Sequence, residues 1–508
     1  MNIWIFRMNY SGVRNERKEE PFLSEMKKSA VEAVRAYSAA FAEKNGRAPR
    51  VSVRTFGCQQ NEADSERIAG MAVLMGYEYT EIPEEAELIV FNTCAVREHA
   101  ELKALSLTGQ LKHLKAKNPA LVTCVCGCMV AEEHRLNELK NKYPYIDILF
   151  GTGAHERFPE YLAAALKTKK RAFYPDPETM EISEDMPVRR ENPRQAWVSI
   201  MYGCNNFCTY CVVPYVRGRE RSRRPEDILS EIRELVKAGY LEITLLGQNV
   251  NSYGKGCDFG NGEGAYDFAD LLSDICKIEG DYWIRFMTSH PKDASDRLFD
   301  VIAAHSGEDA KPHICRQFHL PVQAGSDRIL HKMNRHYERA DYLALVERLR
   351  ARVPDIALST DVIVGFPTET EEEFDETLSL LRAVRYDAFF SFIYSRRKGT
   401  PADKMEQVPE EIKKARFARL LETQNEISLE KNRAFVGRKM RVLVEGVSKT
   451  DETRLTGRNE HNRLVHFPCD DKSLIGSFRT VLITGADTYT LSGEYLPEDG
   501  TTLKGENR

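Results

Sequence analysis

The chain has no apolar run approaching the ~20 residues that cross a bilayer, so no membrane-spanning helix is expected. It also lacks a basic excess. Lys and Arg number 72 against 77 Asp and Glu, a net charge of −5, so any nucleic-acid contact has to be local. Twelve cysteines in 508 residues are too few for a disulfide scaffold. Met1–Phe6 runs almost directly into the charged stretch Arg14–Glu20, which is not the form of a signal peptide. The thiols are therefore expected to be reduced, in a cytoplasmic protein that uses them for metal or redox chemistry. No internal repeat and no low-complexity tract is visible. At this length, with 42% hydrophobic and 29% charged residues, the chain reads as a globular protein of roughly three domains.

Against these absences stands one dense signal. Cys204, Cys208 and Cys211 are spaced C-x3-C-x2-C in MYGCNNFCTYCVV (Met201–Val213), with Phe207 and Tyr210 placed to shield the sulfurs. Three thiols on one loop suit a cluster or metal with one coordination position open, and an open position serves chemistry on a bound ligand. Structural zinc prefers four ligands in two close pairs, and no second C-x2-C exists here. Iron–sulfur is the better reading.

A second set is spread at fold scale. Cys58 follows the strand Val51–Phe56, Cys94 follows Leu88–Asn92, and Cys128 follows Leu121–Cys126, at intervals of 36 and 34 residues. Helices over Glu62–Met75, Val96–Ala116 and Ala131–Lys142 alternate with these strands, the pattern of a parallel sheet. Residues just past successive parallel strands converge at the carboxyl edge, where such sheets place ligands. Isolated cysteines are usually buried small hydrophobes, but three at matching positions favour a second three-thiol cluster. Cys124 and Cys126 are expected in the core, as are Cys257, Cys276, Cys315 and Cys469 in their unrelated contexts.

The N-terminal α/β sheet domain is expected over 50–166, after an extension (1–49) that holds one helix near Leu23–Lys44. A Pro-rich, charged linker follows in Lys167–Gln195. Over 190–430, strands at Ala196–Ile200, Glu242–Gly247, Trp283–Met287, His319–Val322, Ala357–Val364 and Ala388–Tyr394 alternate with helices. Six such units make a partial or full β/α barrel with function at the strand ends, closed by the helix Glu410–Arg433. The remainder, 433–497, reads as a small β-barrel with strands at Met440–Val444, Leu464–Phe467, Phe478–Ile483 and Leu491–Tyr495. The tail 498–508 is expected to be disordered.

The three-cysteine motif at the start of a β/α domain resembles the radical S-adenosylmethionine superfamily. GCNNFCTYCVVPYVRGRERSR (Gly203–Arg223), LLGQNVNSYG (Leu245–Gly254), LPVQAGSDRILHKMNRHY (Leu320–Tyr337) and TDVIVGFPTETEEEF (Thr360–Phe374) narrow the likeness to the methylthiotransferase family. The Cys58/Cys94/Cys128 domain and a C-terminal barrel similar to a TRAM domain complete the three-part architecture, and the resemblance covers about Val51–Leu496. One departure is YSRRKGT (Tyr394–Thr400), where the family usually has proline after the serine.

The resemblance implies two 4Fe–4S clusters, a radical-generating one on Cys204, Cys208 and Cys211 and an auxiliary one on Cys58, Cys94 and Cys128. It implies methylthiolation at C2 of the isopentenylated adenosine beside the anticodon of tRNA. One S-adenosylmethionine would donate methyl and another would be the radical source. The alternatives within the family are threonylcarbamoyl-adenosine tRNA or a ribosomal-protein aspartate as substrate; outside it, a non-catalytic iron–sulfur or zinc RNA-binding protein. A C2–H bond on an aromatic base is strong and not acidic, so radical chemistry is needed where a general base would fail.

No catalytic side chain beyond the cluster ligands is expected. Strand-end residues Gly247, Gln248, Asn249, Ser289 and Asp361 are candidates for binding S-adenosylmethionine, with Tyr210 lying against its adenine or packing on the cluster. Gly365 and Pro367 are expected to shape a turn. Arg217, Arg219, Arg221, Arg223 and Arg224 are candidate phosphate contacts, as are Arg396 and Arg397 with Lys398. The expected partners are a tRNA anticodon stem-loop, an electron donor and a sulfur donor. The chain is expected to be a monomer away from membranes.

Overall fold

The computed structural model describes residues 25–174, 182, 184, 186–259, 266–307 and 309–497. The expected tail at 498–508 and the first 24 residues lie outside these.

Strands Leu88–Thr93 and Val122–Gly127 are buried at every position. A strand buried on both faces belongs in the middle of a parallel sheet covered by helices. They are the central pair of a six-stranded, all-parallel sheet in the order Glu78–Tyr79, Arg50–Phe56, Leu88–Thr93, Val122–Gly127, Ile148–Phe150, Ala172–Tyr174. The last strand falls inside the stretch read as linker; its three residues were too few to show a period. The helix expected in the N-terminal extension is Glu25–Asn45, and it belongs to this domain. Val31 and Val34 are buried in the core shared with Phe158–Thr168 and Gln59–Leu74. Helices Glu98–Lys117 and Glu133–Lys142 cover the other face.

The second domain is a partial barrel of seven parallel strands in two sheets. One sheet has the order His313–Ile314, Trp283–Phe286, Glu242–Leu246, Gln195–Ser199; the other has Gln317–His319, Ala357–Val364, Ala388–Ile393. The Gln317 amide donates to Cys315 O at 2.8 Å and joins them. The first strand and Ala388–Ile393 are both edges, so the barrel is open between them. The sequence gave no sign of His313–Ile314, which has only two residues. Local chemistry starts the outer helices. Thr370 caps Glu371–Val384 by accepting from the Glu373 amide, and Glu373 reaches back to the Thr370 amide at 2.8 Å, a capping box inside the TETEEEF motif.

Helix Glu410–Arg433 leads to a closed five-stranded barrel: Lys439–Val447, Arg454–Asn459, Leu464–Pro468, Thr490–Leu496, Phe478–Ala486. Arg454–Asn459 was not expected, because RLTGRN has a single aliphatic side chain. Its Gly457 lies where a Cβ would stand 2.2 Å from Leu443 O, so the close approach of two strands excludes a side chain there.

This barrel docks under the partial barrel, at the amino ends of its strands. Phe478 packs on Trp283 with ring centroids 4.7 Å apart. Arg285 donates to Glu242 at 2.6 Å and to Asn459 O at 2.7 Å, His313 meets Glu460 at 2.9 Å, and buried Arg463 pairs with buried Asp387 at 2.9 Å. Removing one partner of a buried pair strands the other charge. Arg463→Met is therefore expected to weaken docking by about 3 kcal/mol, less whatever Lys431, 3.5 Å from Asp387, restores. Thermal melting with limited proteolysis at 434–438 checks it: unchanged melting and an unchanged cleavage pattern would show the pair to be dispensable.

Candidate active site and metal centres

Cys204, Cys208 and Cys211 lie in the loop that follows the first barrel strand, at the carboxyl ends where a β/α barrel carries its chemistry. Gly203 opens the loop at φ +76°, and a Cβ there would stand 2.1 Å from Arg219 O, so only glycine fits the crossing. Cys204 and Cys208 are buried and Cys211 is half-buried. Burial pushes the Cys204 thiol up to about 11 and raises Cys211 further, each also feeling Cys208. Such thiols ionise only with a cation to hold, and metal binding then displaces their protons. The sequence reading missed Arg335, which is buried and donates to Cys208 Sγ at 3.5 Å and to Pro321 O at 2.8 Å. Tyr210 packs edge-on to Phe366, its centroid 6.5 Å away, and burial raises its phenol.

Cys58, Cys94 and Cys128 stand at the carboxyl ends of three adjacent strands. Cys58 caps helix Gln59–Leu74, with its thiol 3.3 Å from Asn61 Oδ1, while Cys94 Sγ accepts from the Val96 amide at 3.2 Å. Cys128 begins the short helix Cys128–Ala131, so the helix expected from Ala131 is broken at Glu132 and resumes as Glu133–Lys142. Burial pushes Cys128 up to about 12 and also raises Cys94, and each of these two feels the charge of Cys58. Cys124 and Cys126 are in the core, as expected. Among the described residues no group of three His, Cys, Asp or Glu is arranged to hold a single metal ion.

The two trios meet at one junction. Val212 and Val216, just after Cys211, are buried against Ala95 and Cys128. Thr152 donates to Val216 O, Gln60 donates to Ser199 Oγ at 2.8 Å, and Arg217 donates to Asp64 at 2.9 Å with both side chains buried. A cavity of about 470 Å³ opens there between Glu132–His134, Tyr215 and Lys398–Thr400.

Several strand-end polar groups are buried without a hydrogen-bond partner among the described residues: Asn206 Oδ1, Gln248 Oε1, Asn249 Oδ1, both ends of Asn251, Ser289 Oγ and His290 Nε2. Two of the carrying loops are tied by the Val250 amide, which donates to Thr288 O at 2.9 Å, and by Asn249 Nδ2, which donates to Asp293 at 2.6 Å. Each such group costs about 1–3 kcal/mol if left unpaired, so this set is suited to a polar ligand. Asn206, Asn251 and His290 lie in motifs already quoted but were not singled out. His290 is held neutral by burial, with Arg335 and Lys292 adding to the effect. A Cβ on Gly247 would stand 2.5 Å from Met201 Cγ, so any side chain there would have to displace Met201. Asp361 faces the barrel interior, 3.5 Å from His319 Nε2.

Three of the candidate phosphate contacts are corrected. Arg217 is consumed by Asp64. Arg223 is buried, donating to Glu231 and Ser199 O at 2.7 Å each and to Glu184. Arg397 pairs with Glu101 at 3.0 Å and donates to Val96 O at 2.9 Å, clasping the first domain. In sequence they look like neighbouring arginines, because burial alternates along a turn that composition cannot resolve. Arg219 and Arg224 are exposed, Arg219 over the Phe207 ring at 4.4 Å. Arg396 is exposed and paired with Asp403 at 2.9 Å, and Arg221 is half-buried.

A partial parallel barrel whose first loop carries three thiols beside buried unsatisfied polar groups defines a radical S-adenosylmethionine enzyme, and the model of that superfamily matches residues 198–381. Residues 50–151 match the uncharacterized protein family UPF0004, and 433–496 match the TRAM domain. The chain is 50% identical over 455 residues to the tRNA-2-methylthio-N(6)-dimethylallyladenosine synthase of Thermoanaerobacter pseudethanolicus, covering 89% of this chain and 94% of that protein. It is 52% identical over 445 residues to the enzyme of that name from Clostridium perfringens, covering 87% and 97%. This chain belongs to the tRNA-2-methylthio-N(6)-dimethylallyladenosine synthase family. The fold is also similar to a radical S-adenosylmethionine methyltransferase from Kitasatospora setae, with a TM-score of 0.50 at 13% identity over 70% of this chain and 75% of that one.

The Asp64–Arg217 pair yields a prediction. Burial opposes ionisation of Asp64, but the Arg217 guanidinium beside it holds the carboxyl below the usual range. Its stabilisation is thus present at neutral pH and lost as pH falls through the depressed value. Arg217→Met is expected to cost about 3 kcal/mol and to lower iron retention, whereas Arg224→Met, at an exposed site, stays within about 0.5 kcal/mol. Thermal melts and iron titres of the two variants decide it; equal behaviour would remove the junction role.

Proposed function

We propose that the chain methylthiolates C2 of N6-isopentenyladenosine next to the anticodon in tRNA. One S-adenosylmethionine serves as methyl donor and a second as radical source. The observation that carries this reading is the domain junction at which Val212 and Val216, just past Cys211, are buried in one apolar cluster with Cys128 and Ala95, in a chain of this family.

Cys204, Cys208 and Cys211 would hold the radical-generating 4Fe–4S cluster, and Cys58, Cys94 and Cys128 the auxiliary one. When bound, these groups supply the electron for reductive cleavage of S-adenosylmethionine and the sulfur for transfer. The chain's own residues do the rest. Gln248, Asn249, Asn251 and Ser289 offer donors and acceptors to the carboxylate, amine and ribose of the cofactor, and Tyr210 packs at its adenine. Arg335 places its guanidinium against Cys208 Sγ and so orders that side of the loop. The enclosing loops keep water from a reactive radical. Arg219 and Arg224, both exposed, offer charge to phosphates of the anticodon stem-loop, as does exposed Arg396 if it exchanges Asp403 for RNA; the unpaired bases of the loop flip out at low cost. A separate electron donor and sulfur donor complete the system. Among the described residues no helix is long and apolar enough to cross a membrane. We read the chain as a cytoplasmic monomer.

Anaerobic reconstitution tests the assignment. Wild type should hold about eight irons with matching sulfide, and changing either trio to alanine should remove about half. S-Adenosylmethionine cleavage under reductant should vanish only with the Cys204 trio, whereas methylthiolated product should vanish with either. Mass spectrometry of tRNA from a deletion strain should show unmodified isopentenyladenosine accumulating; accumulation of threonylcarbamoyl-adenosine instead would transfer the activity to that substrate.

A further inference from the structure

The inner face of the partial barrel carries an apolar feature that none of these roles uses. In a strand, alternate residues face opposite sides, and parallel partners in register share a side. Ala357–Val364 pairs with Ala388–Ile393 so that Asp361 lies beside Phe390 and Ile363 beside Phe392. On one face of the strand Leu358, Thr360, Val362 and Val364 are completely buried, and Phe389 packs against the core they join; on the other face Ser359 and Asp361 are only half-buried, and Ile363 alone reaches that core. Phe390 and Phe392 therefore point the other way, into the lumen. They are 46% and 36% exposed, and no other two large exposed hydrophobics among the described residues sit two apart on one strand. Elsewhere such side chains are scattered, which is ordinary for a surface.

The pair has a defined setting. The strand is the open edge of the barrel. Phe390 meets the His319 ring edge-on at 5.6 Å, and His319 is fixed by Ser359 Oγ at 3.0 Å and by Asp361 at 3.5 Å. Phe392 is nearer the carboxyl end, on the side of the cysteine loops and the unsatisfied strand-end groups. An apolar wall with polar neighbours at one edge suits a ligand that is itself divided into a polar ring and an apolar appendage.

We propose that Phe390 and Phe392 form the subsite for the dimethylallyl group of the target nucleoside, and so make the enzyme selective for prenylated over unprenylated adenosine. This rests on the substrate class proposed above. The two rings wall one side of the five-carbon branched chain, while the His319–Asp361 pair fixes the angle of Phe390. Because the group is remote from C2, its burial positions the base rather than taking part in bond-making.

The test uses reconstituted full-length holoenzyme and two synthetic anticodon stem-loops, identical except for the dimethylallyl group. Wild type is expected to favour the prenylated RNA in kcat/KM. Phe390→Ser and Phe392→Ser should each erode that preference about 10–100-fold, mainly by loss on the prenylated substrate. Phe390→Leu and Phe392→Leu should restore most of it, and iron content and RNA-independent S-adenosylmethionine cleavage should hold. Equal losses on both RNAs would mean that the rings stack on the base and would overturn the assignment, as would serine variants that keep the wild-type preference. A wild-type enzyme inactive on the prenylated RNA would instead sink the substrate reading, and the inference with it.

Discussion

The buried contact between Asp64 and Arg217 is the constraint on which the arrangement of the site depends. Asp64 lies one and a half turns into the helix that Cys58 caps, and Arg217 lies six residues past Cys211. A charge pair removed from water tolerates little displacement, because either partner alone would be stranded at several kcal/mol. The pair therefore fixes the loop of one trio against the helix of the other. Gln60 to Ser199 and Arg190 to Glu66, at 2.8 and 3.0 Å, brace the same contact, and the apolar patch of Ala95, Cys128, Val212 and Val216 fills it. Sulfur transfer needs groups from separate domains at a set distance. Here the placement of one cysteine loop against the other domain is set by charges committed to folding.

Much of this was legible in the sequence, for reasons that are physical. The C-x3-C-x2-C loop is local, so its spacing survives in one dimension. The wider trio was readable because parallel strands repeat at the length of a βαβ unit, which turns a sheet edge into a periodicity. The motif residues Gln248, Asn249 and Ser289 fell at strand ends, where ligands gather. What escaped depends on contacts across the chain. Arg217, Arg223 and Arg397 look like a basic run until Asp64, Glu231 and Glu101 are brought to them from other elements. Arg335 carries no local mark of its reach to Cys208. Helix Glu25–Asn45 reads in sequence as part of an extension, because charge alternates there with alanine and aliphatics, yet Val31 and Val34 fall into the first domain's core. Phe390 and Phe392 read as ordinary strand residues, since only the register with Asp361 and Ile363 shows that they face the lumen.

The two halves of the partial barrel carry opposite burdens. The Gln195–His313 half is closed from below by Arg285, Glu242 and the docked small barrel, and is buried almost throughout. The half ending in Ala388–Ile393 leaves alternate positions open. Burial is thus concentrated on one side and accessibility on the other.

The TRAM domain sits beneath the amino ends of the barrel strands, and the cysteine loops rise from their carboxyl ends. A five-residue strand such as Gln195–Ser199 is about 17 Å long at ~3.3 Å per residue. Any single RNA that touches both the TRAM surface and the thiol loops must run along the outside of the barrel for at least that span. With the TRAM domain clamped by buried charges, the two ends of the barrel are held at a fixed separation that is set by the fold and not by a linker.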